Sequence, residues 1–443
     1  MHPPETDPQS LYLTWPALPE LFPASFPGIR PDRDDMMMDI DRERLVRRMA
    51  QHLTPEFNPE QTDSLKQSTP QVWQAGNVEA GLGQLQQKRW LNQSIVRLCY
   101  HPFDFRWRYQ GLETKPLGKK QLDYFRHLKP GNLWLAVAKK HRYGFDPPFV
   151  TSRPASLYLL ESRTYLFPLL LQVETSGTFF ANLPNDYGIQ PNLSKKARRY
   201  LADLGANEAV ETLFYHLIAV LYAPQYRQEN REALQQDWPR LPLPDNLKLL
   251  QKSAALGQKI AALLDTEKAI PGVTTGQIRP DLKTIGLLSR VEGGSLDLNG
   301  DLAVTAGWGQ AGRKGVTLTG QGRWVERPFT ADERAALEKG AAALGLSLDQ
   351  LGQVLGETTL DIYLNEAAYW ANIPLKVWEY SLGGYQVIKK WLSYREEPLL
   401  GRPLKPEEAD EVRRIARRIL AILLLEPVLD ANYRAVKRAA NNG

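Results

Sequence analysis

Cysteine is nearly absent from this sequence, since Cys99 is the only one in 443 residues. One thiol excludes an internal disulfide framework, and it favours a reducing, cytoplasmic setting. Long apolar runs are missing too, because no stretch reaches the roughly 18 residues that a membrane-spanning helix needs. The first residues show no basic region followed by an apolar core, so we expect neither a secretory signal nor a membrane segment.

Several enzyme motifs are also missing. The sequence contains no GxxxxGK(S/T), HExxH, CxxC or GxSxG. P-loop, zinc-enzyme and nucleophile-elbow activities therefore have no support from local motifs. The acidic residues are scattered, without the clustered carboxylates of a nuclease centre. Catalytic chemistry is not visible in the sequence itself.

One tetrapeptide does match a catalytic pattern. DPPF at residues 146–149 has the form (D/N/S)PP(Y/F/W), with which amino-methyltransferases grip the base that they methylate. In those enzymes the tetrapeptide directly follows a buried apolar strand, and a glycine-rich turn on another strand binds S-adenosylmethionine. Here it follows KKHRYGF, and neither GLG at 81–83 nor GWG at 307–309 ends a buried strand. A proline loop is the interpretation we favour, with a methyltransferase motif as the alternative.

What the chain does contain is a typical globular composition with unevenly distributed charge. Apolar residues make up 43% and charged residues 24%, and the length predicts two or three domains. The net charge is only +5, yet residues 101–153 contain eleven Lys or Arg and four Asp or Glu. Segregated positive charge is typical of a nucleic-acid surface, although a basic surface without any ligand is the simpler alternative.

Hydrophobic patterning predicts an α+β chain with a β-rich unit, helical segments and a C-terminal helical region. Short apolar runs such as FRWRY, NLWLAVAKK, FVTS, SLYLLES and TYLFPLLLQ predict strands. Asn299-Gly300 predicts a type I′ hairpin, and Pro427 is expected to end the last helix. The predicted units are an N-terminal segment with linker helices (1–99), a β-rich DNA-recognition unit (100–190), a helical spacer (191–271), a β-hairpin or meander unit (272–330) and a helical C-terminal unit (331–443).

The stretch WEYSLGGYQVIKKWLSYRE, residues 378–396, combines aromatic rings, a glycine pair and basic residues. Gly383 and Gly384 allow close backbone approach to a partner, while Lys389 and Lys390 supply charge that phosphate attracts. This combination indicates a surface that docks a polyanion. An amphipathic helix after a glycine turn, with solvated lysines, is the alternative.

Longer motifs resemble those of one family. They are YHPFDFRWRYQ (100–110), PNLSKKARRYL (191–201), FYHLIAVLYAPQYR (214–227) and the run from LDIYLNEAAYW to EEPLLGRPL (360–404). Together they resemble the C-terminal specificity region of type ISP restriction-modification enzymes and related adenine methyltransferases.

The resemblance implies that this chain is a target recognition domain, which clamps double-stranded DNA and reads bases. It also implies a methyltransferase, as a partner subunit or an upstream domain, and it places S-adenosylmethionine on that methyltransferase and not on this chain. Catalysis by this chain alone is not expected. An adenine methyltransferase active in its own right through DPPF, or a nonspecific nucleic-acid scaffold, are the alternatives.

Basic and amide side chains are the candidates for DNA contact, because Lys and Arg bind phosphates while Arg, Asn and Gln also read base edges. Gly383 and Gly384 are included for close backbone approach. The candidates for backbone contact are Arg106, Arg108, Lys119, Lys120, Arg126, Lys139, Lys140, Lys389 and Lys390. The candidates for base contact or positioning are Arg142, Arg153, Asn372, Gln386 and Arg395.

Overall fold

The structure is a computed structural model that describes residues 11–30, 34–53, 94–110, 124–141, 144–161, 163–174, 187–206, 209–298, 300–312 and 317–440. Helices and small antiparallel sheets alternate along these residues, which confirms the predicted α+β class. No helix in the described ranges is long and apolar enough to cross a membrane.

The N-terminal half of the chain is rich in β-structure, as its short apolar runs predict. One sheet has the order β1-β7-β5-β6, a second has the order β2-β4-β3, and β8 pairs with β9. Every residue of β5, WLAVA, is buried, because this strand lies between two neighbours within the core. The strands are β1 (Phe26–Pro27), β2 (Met38–Asp39), β3 (Ile95–His101), β4 (Asp104–Tyr109), β5 (Trp134–Ala138), β6 (Phe149–Thr151), β7 (Thr164–Pro168), β8 (Leu170–Glu174) and β9 (Tyr187–Pro191).

The SLYLLES run is an exception, since its described residues form turns instead of the predicted strand. Leu159 and Leu160 are buried as an apolar run requires. However, the backbone N–H of Glu161 donates to the carbonyl of Gly383 at 2.6 Å. The segment therefore pairs with a distant part of the chain, a contact that local periodicity does not reveal.

Helices dominate from residue 195 to residue 264, in agreement with the sequence. The long helices α5 and α8 lie side by side. Helices α1 to α3 alternate with the two-residue strands β1 and β2 and precede β3. The helices up to residue 264 are α1 (Leu18–Leu21), α2 (Asp34–Met37), α3 (Arg42–Leu53), α4 (Lys195–Asp203), α5 (Val210–Tyr222), α6 (Pro224–Glu229), α7 (Arg231–Gln236) and α8 (Leu247–Leu264).

A four-stranded sheet follows, with the order β10-β15-β14-β13. Two of its strands precede residue 330 and two follow it, so the predicted boundary between residues 330 and 331 cuts through one sheet. The C-terminal part is therefore not only helical. The strands here are β10 (Leu287–Arg290), β11 (Gly309–Ala311), β12 (Thr317–Thr319), β13 (Trp324–Pro328), β14 (Thr358–Tyr363), β15 (Ala368–Pro374), β16 (Ser381–Leu382) and β17 (Tyr385–Gln386).

The hairpin predicted at Asn299-Gly300 lacks its two strands among the described residues, and Asn299 itself lies outside them. The described residues on either side of position 299 form no strand. The N–H groups of Gly300 and Asp301 donate to the carbonyl of Asp297 at 3.2 and 2.8 Å, as in a turn. The carbonyls of Leu302 and Val304, however, accept from the distant N–H groups of Leu404 and Glu397 at 3.0 and 2.7 Å. The two buried side chains, Leu302 and Val304, fix the segment against the core, so the turn is kept but no hairpin strands form around it.

The last helix, α15, also departs from expectation because it continues through Pro427 to residue 440. Proline in a helix interior removes one hydrogen bond and costs about 3 kcal/mol. Beyond it, Leu429, Tyr433 and Val436 are fully buried, and their packing offsets that cost. The helices of this part are α9 (Pro280–Lys283), α10 (Ala331–Ala343), α11 (Leu348–Leu355), α12 (Leu375–Glu379), α13 (Val387–Ser393), α14 (Glu397–Leu400) and α15 (Pro406–Ala440).

Candidate nucleic-acid interface

The glycine pair lies at the tip of a two-stranded hairpin formed by β16 and β17, here called the Gly-Gly hairpin (residues 381–386). Gly383 and Gly384 have φ values of +62° and +82°, as a type I′ turn requires. A Cβ on Gly383 would lie 2.5 Å from the Cδ2 of Leu160, and one on Gly384 would lie 2.7 Å from the Cβ of Glu161. Glycine is therefore required at both positions by backbone conformation and by contact.

The DPPF tetrapeptide supports this hairpin. The N–H of Gly384 donates to Asp146 Oδ2 at 2.7 Å. Burial raises the pKa of Asp146, and this N–H acts in the opposite direction. The carbonyl of Pro148 accepts from the hydroxyl of Tyr222 at 2.8 Å, and Phe149 is fully buried. These internal contacts favour the proline-loop interpretation.

A buried ion cluster, Asp104, Arg106 and Arg395, lies beside the hairpin. Asp104 Oδ2 accepts from Arg106 Nε and Nη2 at 3.1 and 2.8 Å, and its Oδ1 accepts from Arg395 Nη2 at 2.8 Å. Burial alone would raise the pKa of Asp104, but the two guanidinium groups hold it well below its usual range. Two cations share one carboxylate, so the cluster carries a net positive charge in the interior.

Aromatic faces compensate for that excess charge. The Arg106 guanidinium carbon contacts two nearly perpendicular rings, those of Tyr100 and Tyr394, at 3.8 and 3.9 Å from their centroids. Arg395 lies 3.6 Å from the centroid of Trp391. The negative face of an aromatic ring attracts a cation most strongly when both are removed from water.

His101 connects the cluster to the hairpin. Its ring centroid is 4.4 Å from that of Tyr385, and its Nε2 is 3.3 Å from the Tyr394 hydroxyl. Burial lowers the pKa of His101 to about 3, and the nearby Arg106 cation acts in the same direction. The imidazole is therefore neutral at physiological pH and packs as a polar aromatic ring.

Lys389 and Lys390 lie on α13, directly after the hairpin, and both are partly exposed. The Nζ of Lys390 is 4.8 Å from the ring centroid of Tyr394 and 5.5 Å from that of Tyr385. Gly384 at the hairpin tip is exposed. The structure thus leaves Gly384 and both lysines of the 378–396 stretch accessible, while Gly383 is buried.

Three predicted DNA-contacting side chains have internal roles instead. Arg106 and Arg395 are 8% and 4% exposed and belong to the buried ion cluster. Asn372 is 1% exposed and sits in a β-bulge of β15 with a φ of +58°, where its side chain bonds Thr359 and Thr284. We therefore withdraw these three from direct DNA contact.

The other candidates differ in their surroundings. Lys139 and Arg153 are exposed but ion-paired with Asp237 at 3.3 Å and Glu267 at 3.2 Å, and the Nε2 of Gln386 donates to the Trp378 carbonyl. Surface ion pairs of this kind are weak, so they leave lysine and arginine available to phosphate. Arg126 and Lys140 are exposed, Arg108 is partly exposed in β4, and Lys119, Lys120 and Arg142 lie outside the described residues.

Sequence reasoning missed the residues that hold the surface together, namely His101, Asp104 and Asp146. Asp104 and Arg395 are 291 positions apart, and Asp146 and Gly384 are 238 apart. No local spacing pattern could have paired them. Within the described ranges no group of three or more His, Cys, Asp or Glu residues is arranged to hold a metal ion.

Acid sensitivity is one expected result of the buried histidines. Burial lowers the pKa of His216 to about 4, and this ring bonds Ser253 and the carbonyl of Pro242. The unfolded chain binds protons that the folded chain excludes, so stability falls as pH drops below about 6.5. Between pH 7.0 and 5.5 we expect a loss of about 1 kcal/mol for each of His101 and His216.

Urea unfolding of the parent chain and of His216→Gln at both pH values measures this effect. The variant should show a pH dependence smaller by about 1 kcal/mol, whatever its stability at pH 7.0. Identical pH dependence in the two proteins would contradict the assignment of a neutral, buried His216.

Comparison with known proteins identifies the fold. No curated protein matches the sequence. A nuclease-deletion mutant of the Type ISP restriction-modification enzyme LlaGI, solved in complex with a DNA substrate mimic, aligns with 95% of this chain and 34% of its own, at 14% identity and a TM-score of 0.54. The DrdV-DNA complex aligns with 92% of this chain and 35% of its own, at 16% identity and a TM-score of 0.55.

A third structure is the ATP-dependent Type ISP restriction-modification enzyme LlaBIII bound to DNA, which aligns with 93% of this chain and 23% of its own, at 14% identity and a TM-score of 0.52. This chain thus spans about a third or less of the length of those proteins. At such low identity these likenesses show the fold alone. The sequence profile of the Type ISP C-terminal specificity domain, however, matches residues 20–417. Because that match covers most of the sequence, the chain belongs to the family of Type ISP C-terminal specificity domains.

Proposed function

We propose that this chain binds double-stranded DNA and selects the sequence at which a methyltransferase acts. Family membership supports the proposal, and the three relatives named above are DNA complexes by their descriptions. The methyltransferase would be supplied by another chain or by an upstream domain. The nuclease of such a system would likewise be supplied outside these 443 residues.

The observation that carries the proposal is the surface formed by the Gly-Gly hairpin and α13. An exposed glycine at a hairpin tip lets main-chain atoms approach a partner without an intervening side chain. Lys389 and Lys390 follow in the first turn of α13 and are partly exposed, and the Nζ of Lys390 is 5.5 Å from the ring centroid of Tyr385 in the hairpin. A groove of a duplex flanked by phosphates offers the complementary shape and charge.

Other basic side chains are proposed to contact the DNA as well. Arg108, Arg126 and Lys140 remain proposed contacts to the DNA backbone, together with Lys119, Lys120 and Arg142. Lys139 and Arg153 can exchange a surface carboxylate for a phosphate at little cost. Gln386 would act mainly by positioning, because its amide nitrogen is bonded to Trp378.

S-adenosylmethionine is proposed to bind to the methyltransferase partner. On this chain the DPPF tetrapeptide is engaged in internal contacts through Asp146, Pro148 and Phe149. The alternative is an adenine methyltransferase active in its own right. Retention of labelled S-adenosylmethionine by the purified chain would favour that alternative over ours.

Selection of bound sequences from a pool of random duplexes tests the proposal directly. Sequence-specific recognition should enrich one short motif, since each mismatched base pair costs about 1–3 kcal/mol. Enrichment of no motif, with equal affinity for all duplexes, would instead indicate a nonspecific nucleic-acid scaffold.

The variant Lys389→Ala/Lys390→Ala tests the location of the surface. Each lost phosphate contact lowers the slope of log affinity against log salt by about 0.9. We therefore expect the slope to fall by about 2 and affinity at 50 mM salt to fall at least ten-fold. Fluorescence anisotropy with a labelled duplex at about 50 to 200 mM salt measures both quantities.

The matched control is Lys248→Ala/Lys252→Ala on the exposed face of α8. It removes the same charge, so it reports any effect of net charge alone. If both double variants lose affinity equally, the Gly-Gly hairpin and α13 are not the DNA surface. If the parent chain binds without salt dependence, the proposal of DNA binding fails.

A further inference from the structure

The buried ion cluster joins two parts of the chain that are far apart in sequence. Asp104 and Arg106 lie on β4, whereas Arg395 follows α13. Asp104 accepts hydrogen bonds from both arginines, so one carboxylate bridges β4 and the C-terminal end of α13. The guanidinium carbon of Arg106 also lies over the Tyr394 ring, 3.9 Å from its centroid. The last turn of α13 is therefore fixed on β4 by charge and by stacking.

The Gly-Gly hairpin, which precedes α13, is attached separately to β3. His101, at the end of β3, contacts Tyr385 in β17 with a distance of 4.4 Å between ring centroids. It also meets the Tyr394 hydroxyl through Nε2. Lys389 and Lys390 lie between these two attachment points along the chain. Any rotation of α13 relative to β3 and β4 would break stacking or leave a buried charge without its partner.

The chemistry of the buried ion cluster is suited to fixing the orientation of α13 and contributes less to holding the helix in place. An apolar contact tolerates small rotations. A guanidinium whose Nε and Nη2 share one carboxylate oxygen, and which also contacts two aromatic rings, has one favourable geometry. Ionic groups in a protein interior add little net stability, because their loss of hydration offsets their attraction. A cluster of this kind is thus better suited to fixing a direction than to strengthening the fold.

We propose that Arg106 is a positioning residue for DNA recognition, which acts through Asp104 and Tyr394 to set the direction of α13. This inference rests on the proposed function. It gives Arg106 an indirect role in place of the direct phosphate contact that its charge alone suggests. Arg106 never touches the DNA, and its effect is transmitted entirely through Lys389, Lys390 and the Gly-Gly hairpin.

A double-mutant cycle between Arg106→Lys and Lys389→Ala/Lys390→Ala tests this inference. Lysine keeps the charge but loses the planar fork and the stacking. We expect Arg106→Lys to lower duplex affinity about ten-fold and to broaden the selected sequences. Adding the two alanines should then lower affinity by no more than about two-fold further, against about ten-fold in the parent, because the lysines are already misplaced.

The control variant Lys248→Ala/Lys252→Ala should combine with Arg106→Lys in a fully additive way. If Arg106 had only a structural role, Arg106→Lys would lower stability, and its effect on DNA affinity would be independent of the effect of Lys389→Ala/Lys390→Ala. Additive changes in affinity for these two variants would therefore overturn the inference. All measurements are made on the full chain well below its unfolding midpoint, which is checked by circular dichroism.

A second variant covers the case in which Arg106→Lys does not fold. Tyr100→Leu removes the other ring that stacks on Arg106, from a strand that carries neither lysine. Tyr100→Leu should lower duplex affinity about three-fold, and its effect should again not add to that of Lys389→Ala/Lys390→Ala. If the parent binds duplex DNA with salt dependence and both cycles are additive, positioning fails while DNA binding stands. If the parent does not bind, the proposed function itself fails.

Discussion

Replacing Gly257 by alanine is expected to destabilise the folded chain by about 3 kcal/mol. Gly257 lies in α8 where this helix crosses α5, and a Cβ there would be 1.7 Å from the carbonyl oxygen of Tyr215. The obstructing atoms belong to the backbone of a buried helix, so they cannot rotate away. The two helices would have to separate, opening the core along their length.

A matched substitution distinguishes this collision from the general effect of alanine in a helix. Gly352 in α11 has ordinary space around it, since the nearest atom to a new Cβ would be Glu357 Oε1 at 3.4 Å. Gly352→Ala should therefore raise stability by about 0.5–1 kcal/mol through helix propensity. Urea unfolding of both variants and the parent makes the comparison. Equal stability of the two variants would show that the α5–α8 crossing is looser than the structure indicates.

Arg418→Met is expected to cost about 3–5 kcal/mol. The Arg418 side chain is buried in α15, and it donates to the carbonyls of Ala262, Leu263, Asp265 and Lys268. Burial lowers its pKa to about 10, so the group keeps its charge at neutral pH. A cation at the C-terminal end of α8 also complements the helix dipole. Methionine would remove this donor from all four carbonyls, and of these Asp265 would keep the N–H of Lys268.

Arg414, one turn earlier on the same helix, provides the control. It pairs with Asp410 and Glu411 at the surface, with about a third of its side chain exposed. Arg414→Met should change stability by no more than about 1 kcal/mol. Thermal and urea unfolding of both variants give the measurement. A loss for Arg418→Met as small as that for Arg414→Met would mean that water replaces the guanidinium without penalty.

The parts of the fold that the sequence predicts correctly are those with strong local periodicity. The strand runs around Trp134 and the helix from Val210 are examples. The errors arise where long-range packing overrides a local signal. Pro427 is a strong helix breaker, yet the residues beyond it gain more from burial in the helix than the proline costs. The strands expected next to residues 299–300 are likewise absent from the described residues, because Leu302 and Val304 accept hydrogen bonds from residues 404 and 397 instead.

The candidate surface shows a similar division. Its glycine pair and lysines are visible in the sequence, because their chemistry is local. In the sequence, Arg106 and Arg395 cannot be distinguished from arginines that bind DNA. Only their burial in the structure shows that they have an internal role. Burial depends on which distant segments meet, and that information is absent from spacing. Charge alone therefore overestimates the number of side chains that reach a ligand.

The length and contacts of α15 have a consequence for the bound state. Its 35 residues rise about 52 Å, and along this distance it packs on α13 and β10 as well as on α5, α6 and α8. The lysine-bearing helix and the helical spacer thus share one continuous support. If this support holds the surface rigid, a duplex bound as proposed would adapt its shape to the protein. Sequences that bend easily, such as those with TA or CA steps, would then be favoured at positions that no side chain touches.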